Sequence, residues 1–115
     1  MNTKLPECWA IDPNVRGVRI EVSSELTLLL PFDHFLFSEL RQIDEGQRLR
    51  ALFISHEVTL TGTGLRRIEV ALQRAHLSYI TCAPTRFHSL VADEQPVIRQ
   101  IVVAETKESD SSAVA

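Results

Sequence analysis

Cysteine is scarce in this sequence. Only Cys8 and Cys82 occur among the 115 residues, and neither has a second cysteine nearby. This spacing excludes a zinc knuckle and a redox CxxC pair. We expect two reduced structural thiols, with a disulfide or a reactive thiol as the alternative.

Long apolar runs are missing as well. Residues 1–7 contain no apolar core of the kind that defines a signal peptide. No stretch approaches the roughly 20 apolar residues that span a bilayer. We therefore expect a soluble, cytoplasmic protein that makes no use of a membrane.

No sign of charge dominates. The chain has 12 basic and 15 acidic residues, a net charge of −3, and its only lysines are Lys4 and Lys107. Because such a mixture creates no global field that attracts a polyanion, nucleic-acid binding is not expected. The basic residues in the middle of the chain are arginines, and carboxylates are interleaved with them. The planar guanidinium group of arginine suits ion pairs with carboxylates, within the chain or with another copy of it.

Signatures of catalysis and of metal binding are also absent. The four histidines (His34, His56, His76 and His88) show no HxxxH or HExxH spacing, and the chain has no GxSxG elbow. A Ser55–His56 or Cys82 dyad would need a fold that the sequence does not reveal. We predict no catalytic residues, no metal and no cofactor, which favours a non-enzymatic module. No motif is specific enough to assign a family.

What is present is an ordinary globular composition, 44% hydrophobic and 23% charged, in a chain long enough for one core. We predict an irregular N-terminal arm at 1–16, one globular domain at 17–104 and a disordered tail at 105–115. Trp9, the only tryptophan, is interpreted as a pin that lays the arm over the core. A binding-site aromatic is the alternative.

Periodicity predicts strands and one clear helix. Alternation predicts a hairpin over 17–30, and an apolar run predicts a central strand over 49–60. Leu65, Ile68 and Leu72 have the spacing of a helical stripe, which predicts an amphipathic helix over about 64–75. Strands are then predicted at 77–81 and, after a loop at 84–96, at an edge over 97–103.

The predicted fold class is α+β, a single mainly antiparallel sheet of five or six strands with one or two helices on one side. A second helix is predicted over about 33–43, and a short strand at 35–37 is the alternative. The strand ending near Leu60 and the strand at 77–81 are expected to be parallel neighbours joined by the clear helix, in a right-handed βαβ unit.

The nearest approach to a functional motif is the turn at 61–67. Its candidate ligand-binding residues for a small anion are Thr61, Gly62, Thr63, Gly64, Arg66 and Arg67. A glycine pair that ends a strand and opens a helix presents free N–H groups to an anion, and the two arginines add charge. The structural alternative is a turn in which a threonine caps the helix and glycine supplies positive φ.

Three phenylalanines lie close together, at Phe32, Phe35 and Phe37. They belong to the core or form an apolar subunit interface. The favoured function is self-association or protein–protein contact through residues 32–37 or the edge at 97–103, and the expected state is a homo-oligomer, first of all a dimer. The rival function is a ligand-binding or enzymatic domain that uses the turn at 61–67.

Overall fold

Most of the described chain alternates between inward and outward side chains, as β-strands do. The structure, a computed structural model, describes residues 8–84 and 95–106. Its elements in chain order are β1 (Trp9–Ile11), β2 (Gly17–Ser23), β3 (Leu26–Pro31), a 3-10 turn (Phe32–His34), β4 (Phe35–Ile43), β5 (Gly46–Phe53), β6 (His56–Thr63), α1 (Arg66–Gln73), β7 (Leu77–Thr81) and β8 (Val97–Glu105).

The strands of the described chain form two sheets of four. The first has the order β1-β7-β2-β3 and the second the order β4-β5-β6-β8. Only β2 and β7 pair in parallel; the other described pairs are antiparallel. Such a fold is mostly β, so the predicted α+β fold with a single sheet of five or six strands is wrong.

Both sheets contribute to one apolar core. Val18 and Ile20 enter it from β2, while Leu49 and Phe53 enter it from β5, and all four are nearly inaccessible to water. The space left between the two sheets is a cavity of about 10 Å³, no larger than a single water molecule. The space between the two sheets is therefore too small for a ligand larger than water.

The hairpin predicted over 17–30 is confirmed. Val18 and Ile20 point inward while Arg19, between them, is exposed, and β2 pairs antiparallel with β3. At the reversal, the backbone N–H of Glu25 donates to the Ser23 hydroxyl at 3.1 Å. A serine that bonds the backbone two residues on stabilises such a turn.

The strand predicted over 49–60 is two strands. The chain bends at Ile54 and Ser55, and β5 and β6 then pair as a hairpin with Ala51 opposite Val58. The backbone N–H of Ile54 donates to the His34 carbonyl at 2.8 Å. The apolar run suggested a strand buried on both faces, but its fully buried residues simply alternate along β5.

The helix predicted over 33–43 is wrong, because this segment is the edge strand β4. A bulge between Phe35 and Phe37 shifts the register with β5. As a result Phe35 and Leu40, five residues apart, both pack against the core, although a regular strand would place them on opposite faces. Their spacing therefore resembled a helical stripe.

The helix predicted over 64–75 is confirmed as α1, with Ile68, Ala71 and Leu72 buried. The predicted βαβ unit is wrong, since β6 and β7 lie in different sheets and the parallel neighbour of β7 is β2. The helix thus carries the chain from one sheet to the other. It ends at Gln73. Two residues further on, Ala75 has a left-handed φ of 58°, and the His76 N–H donates to the Ala71 carbonyl at 2.9 Å.

The ends of the predicted domain differ in detail. The arm predicted to be irregular contains β1, in which Trp9 pairs with Ile80 of β7. The edge strand predicted over 97–103 is confirmed as β8 and includes Glu105. Most of the predicted loop, 85–94, and the tail from 107 onward lie outside the described residues. None of the described helices has the length and apolar character needed to cross a bilayer.

The close approach of β8 to β6 generates a prediction about stability. A methyl group at Gly62 would collide with the Val97 carbonyl oxygen, which is backbone and cannot rotate away. Gly62→Ala should therefore lower the free energy of unfolding by about 1–3 kcal/mol, as overpacking typically does. Urea denaturation measures it. The exposed Gln100 of β8 is the control, and a Gly62→Ala loss no larger than that of Gln100→Ala would contradict the packing described.

Candidate functional site

The glycines of the turn at 61–67 accommodate neighbouring backbone. Gly64 has a φ of +67°, and a Cβ there would lie 2.8 Å from the Gln95 carbonyl oxygen. Together with the Val97 carbonyl beside Gly62, these contacts show that the segment leading into β8 packs closely against the turn. The glycines thus have a structural role.

The start of α1 is capped from β5 rather than by a threonine. Leu65 is the N-cap residue, and its backbone N–H donates to Oε1 of Gln47 at 2.8 Å. The predicted threonine cap is therefore wrong. The anion site stays a prediction. Among its predicted residues, the two arginines of the first helical turn are those that carry positive charge.

Arg66 and Arg67 point away from the core. The guanidinium of Arg66 lies 3.4 Å from the Glu69 carboxylate, one turn along the helix. The guanidinium of Arg67 lies over the ring of Trp9, 5.4 Å from its centroid, a cation–π geometry. The structure thus brings Arg67 beside a residue 58 positions away in the sequence.

These residues line a surface depression, which we call the basic groove. Its described lining residues, supplied by β1, α1 and the turn before β7, are Trp9, Ile11, Arg66, Arg67, Val70, Ala71, Arg74 and His76. The volume is about 280 Å³. None of these residues is acidic, so the groove carries concentrated positive charge on a protein whose net charge is −3.

Local structure explains how the groove forms. Trp9 and Ile11 are two residues apart in β1, and both line the groove, although the register with β7 shifts between Ala10 and Ile11. Arg67 and Val70 of α1 and Arg74, its C-cap residue, are three and four residues apart, a spacing that places them along one face of the helix. Trp9 also packs against the core, as expected for a pin, while its alternative role at a binding site stays open. No local pattern in the sequence joins Arg74 and His76 to the basic groove.

The three phenylalanines have different surroundings. Phe32 and Phe35 pack against the core, and the Phe35 and Phe53 rings are 5.4 Å apart. Phe37 is 46% exposed, next to Leu36 at 54%. The interface prediction therefore rests on Phe37 and its neighbour rather than on all three rings.

The outer face of the second sheet carries an arginine–carboxylate network. Nε of Arg50 lies 3.3 Å from Glu57 and 3.7 Å from Glu39, and Arg41 lies 2.7 Å from Glu39. The Arg50 guanidinium also lies 5.7 Å from the centre of the Phe37 ring. Carboxylates of the same chain are thus partners of Arg41 and Arg50, which is one of the two alternatives that the interleaved charges predicted.

A second polar cluster lies on the outer face of the first sheet. Oε1 of Glu21 accepts hydrogen bonds from the Thr81 hydroxyl at 2.8 Å and the Tyr79 hydroxyl at 2.9 Å. These two bonds, that of Thr81 first, hold the pKa of Glu21 below its ordinary value of 4.5. Desolvation of its hydroxyl is the largest effect that raises the pKa of Tyr79, and the hydrogen bond to Glu21 is the next.

The remaining candidates for chemistry show no assembled site. Oγ of Ser55 lies 2.7 Å from Nδ1 of its neighbour His56, an exposed pair at the β5–β6 reversal. Within residues 8–84 and 95–106, no group of three side chains is arranged to hold a metal ion. Cys8 and Cys82 are both free thiols, buried and exposed respectively. Cys8 donates to the Pro96 carbonyl at 3.4 Å, which ties β1 to the start of β8.

Comparison with known proteins found no matching family model, no matching curated protein and no matching solved structure. The basic groove and the exposed start of β4 are therefore interpreted from their own chemistry. Both are surface features, consistent with the filled core.

The Glu21 cluster gives a prediction about pH. A carboxylate whose pKa is lowered in the folded state adds stability above its unfolded pKa, and this stability is lost as pH falls through the folded pKa. Glu21→Gln should therefore be less stable than the native chain at neutral pH. The difference should shrink once the pH falls below 4.5. Urea unfolding across this range measures it, and a difference that does not change with pH would contradict the cluster.

The two thiols give a prediction about reactivity. Cys8 is 2% exposed, so a reagent in solution has little access to it. Burial also raises the pKa of its thiol, which lowers the fraction present as the reactive thiolate. A chromogenic disulfide reagent should modify one thiol in the native protein and two after denaturation. Cys82→Ser should remove the native reaction. The assignment would be refuted if both thiols of the native protein reacted with the reagent at equal rates. It would also be refuted if neither thiol reacted after denaturation without reductant.

Proposed function

We propose that the protein is a small non-enzymatic module that acts by forming a dimer through the edge of β4. The observation that carries this proposal is a nine-residue edge strand that exposes two large apolar side chains, Leu36 and Phe37. Exposed apolar groups on an edge strand favour association. Within the described residues, β4 pairs with β5 alone.

The other edge strands of the described chain are less suited to forming the dimer. β8 exposes Val102 but follows Pro96, and β1 has only three residues. β3 exposes Leu26 and Leu29 but has six residues, three fewer than β4. β4 and β8 are the longest of the described edges, with nine residues each. β4 exposes two large apolar side chains and β8 one, so β4 is the edge that we assign to the dimer.

The charges on β4 complement each other in a two-fold arrangement. Glu39 and Arg41 flank Leu40, and both lie on the outer face, opposite Arg50 and Arg48 of β5. Antiparallel pairing of two copies centred on Leu40 therefore places Glu39 of each copy opposite Arg41 of the other. Opposite charges in facing positions stabilise such pairs, whereas centring on Glu39 would oppose two carboxylates.

Light scattering at micromolar concentration tests the dimer. We expect twice the chain mass of 13.0 kDa, and a clean monomer would remove the proposal. Arg41→Glu should weaken the dimer by about tenfold or more, because it places carboxylates opposite one another.

The matched control is Arg48→Glu, which changes the same type of side chain on the same face but one strand inside the edge. It should leave the dimer intact. If both substitutions weaken association equally, the β4 register is wrong even though a dimer exists.

We include a cytoplasmic location in this proposal, because both cysteines are free thiols and a reducing compartment keeps them so. The rival function, a small-anion-binding domain, is supported by Arg66 and Arg67, which line the basic groove. No feature of the described residues favours a catalytic role for either surface.

A further inference from the structure

We propose that the basic groove binds a small organic anion with a flat apolar body, such as an aryl phosphate or carboxylate. This site is separate from the β4 edge, because no β4 residue is among its described lining residues. It also differs from an anion site at the glycine turn, since its side chains come from three different elements.

The floor of the groove is apolar. Trp9, Ile11, Val70 and Ala71 line it, and Ile11 is 57% exposed. An inorganic ion would leave this surface in contact with water. A ring or a short apolar body would cover it, and burial of apolar area favours binding.

Three guanidinium groups accompany this floor. Arg66 and Arg67 lie at the start of α1, before Val70 and Ala71, and Arg74 follows the last residue of the helix. Arg66 keeps an ion pair with Glu69 at a mostly exposed position, and Arg67 lies over Trp9. Arginine binds phosphate and carboxylate through paired N–H donors, so this set of side chains selects for negative charge.

The size of the groove limits the ligand. Its volume of about 280 Å³ lies just below the range of roughly 300–1,000 Å³ that drug-sized ligands occupy. One ring with one anionic group fits such a space.

The only tryptophan of the chain lines the groove, so ligand binding can be read from its fluorescence. The probe is phenyl phosphate, which joins a ring to a dianion. Inorganic phosphate serves as the charge-only control and benzyl alcohol as the apolar control. We expect a saturable change in Trp9 emission with phenyl phosphate, at a concentration about tenfold or more below that needed for either control, since each control lacks one type of contact.

Substitutions locate the site. Arg74→Gln and Arg66→Gln should each weaken phenyl phosphate binding by about tenfold, as loss of a charge-assisted hydrogen bond does. Arg48→Gln, an exposed arginine on the outer face of the second sheet, should not. Circular dichroism confirms that each variant is folded.

The proposal is overturned by the absence of a saturable change at millimolar phenyl phosphate. Equal binding of inorganic phosphate would overturn the apolar part of the ligand assignment. Weakening by Arg48→Gln to the same extent as by Arg74→Gln would show that the effect is non-specific charge screening, and this also overturns the site.

Discussion

Each of the two sheets has one apolar face, and the fold depends on the burial of these faces against each other. The inward side chains of β2 and β7 meet those of β5 and β6 in one core with almost no residual cavity. Neither sheet could remain stable with this face in water, since burial of apolar area is the main favourable contribution to folding. The position of every other element follows from this contact.

The helix occupies the place that this arrangement leaves open. Ile68, Ala71 and Leu72 complete the core, which forces the opposite face of α1, with its arginines, toward solvent and toward β1. The basic groove is therefore a by-product of core closure. Its apolar floor, however, includes Ile11 and Val70, which the core does not require, and these residues distinguish the groove from an ordinary solvated helix face. The groove and the β4 edge lie on different elements, and α1 contacts both β4 and β7.

Parts of this fold could be predicted from the sequence wherever local periodicity is regular. The hairpin over 17–30 and the helix near 64–75 keep the periods of two and 3.6 residues that their elements impose. β4 breaks its period at a bulge, and the same shift that brings Phe35 and Leu40 to one face imitates a helix. The reversal at Ile54 and Ser55 has no glycine, proline or asparagine to mark it.

The candidate groove was less predictable. Arg66 and Arg67 were singled out from the turn, but their neighbour Trp9 reaches them only because β1 pairs with β7 across the sheet. Contacts between residues so far apart follow from sheet order, which is set by the global packing of the two sheets and has no local signal. For the same reason the parallel pairing of β2 with β7 was missed, while the sequence suggested β6 as the partner.

The division of β6 and β7 between two sheets is the central claim, and nuclear Overhauser contacts between backbone protons test it most directly. We expect interstrand contacts between Leu60 and Ile101 and between Ile20 and Ile80. Contacts between Leu60 and Ile80, with those two pairs absent, would place β6 beside β7 in one sheet and contradict it.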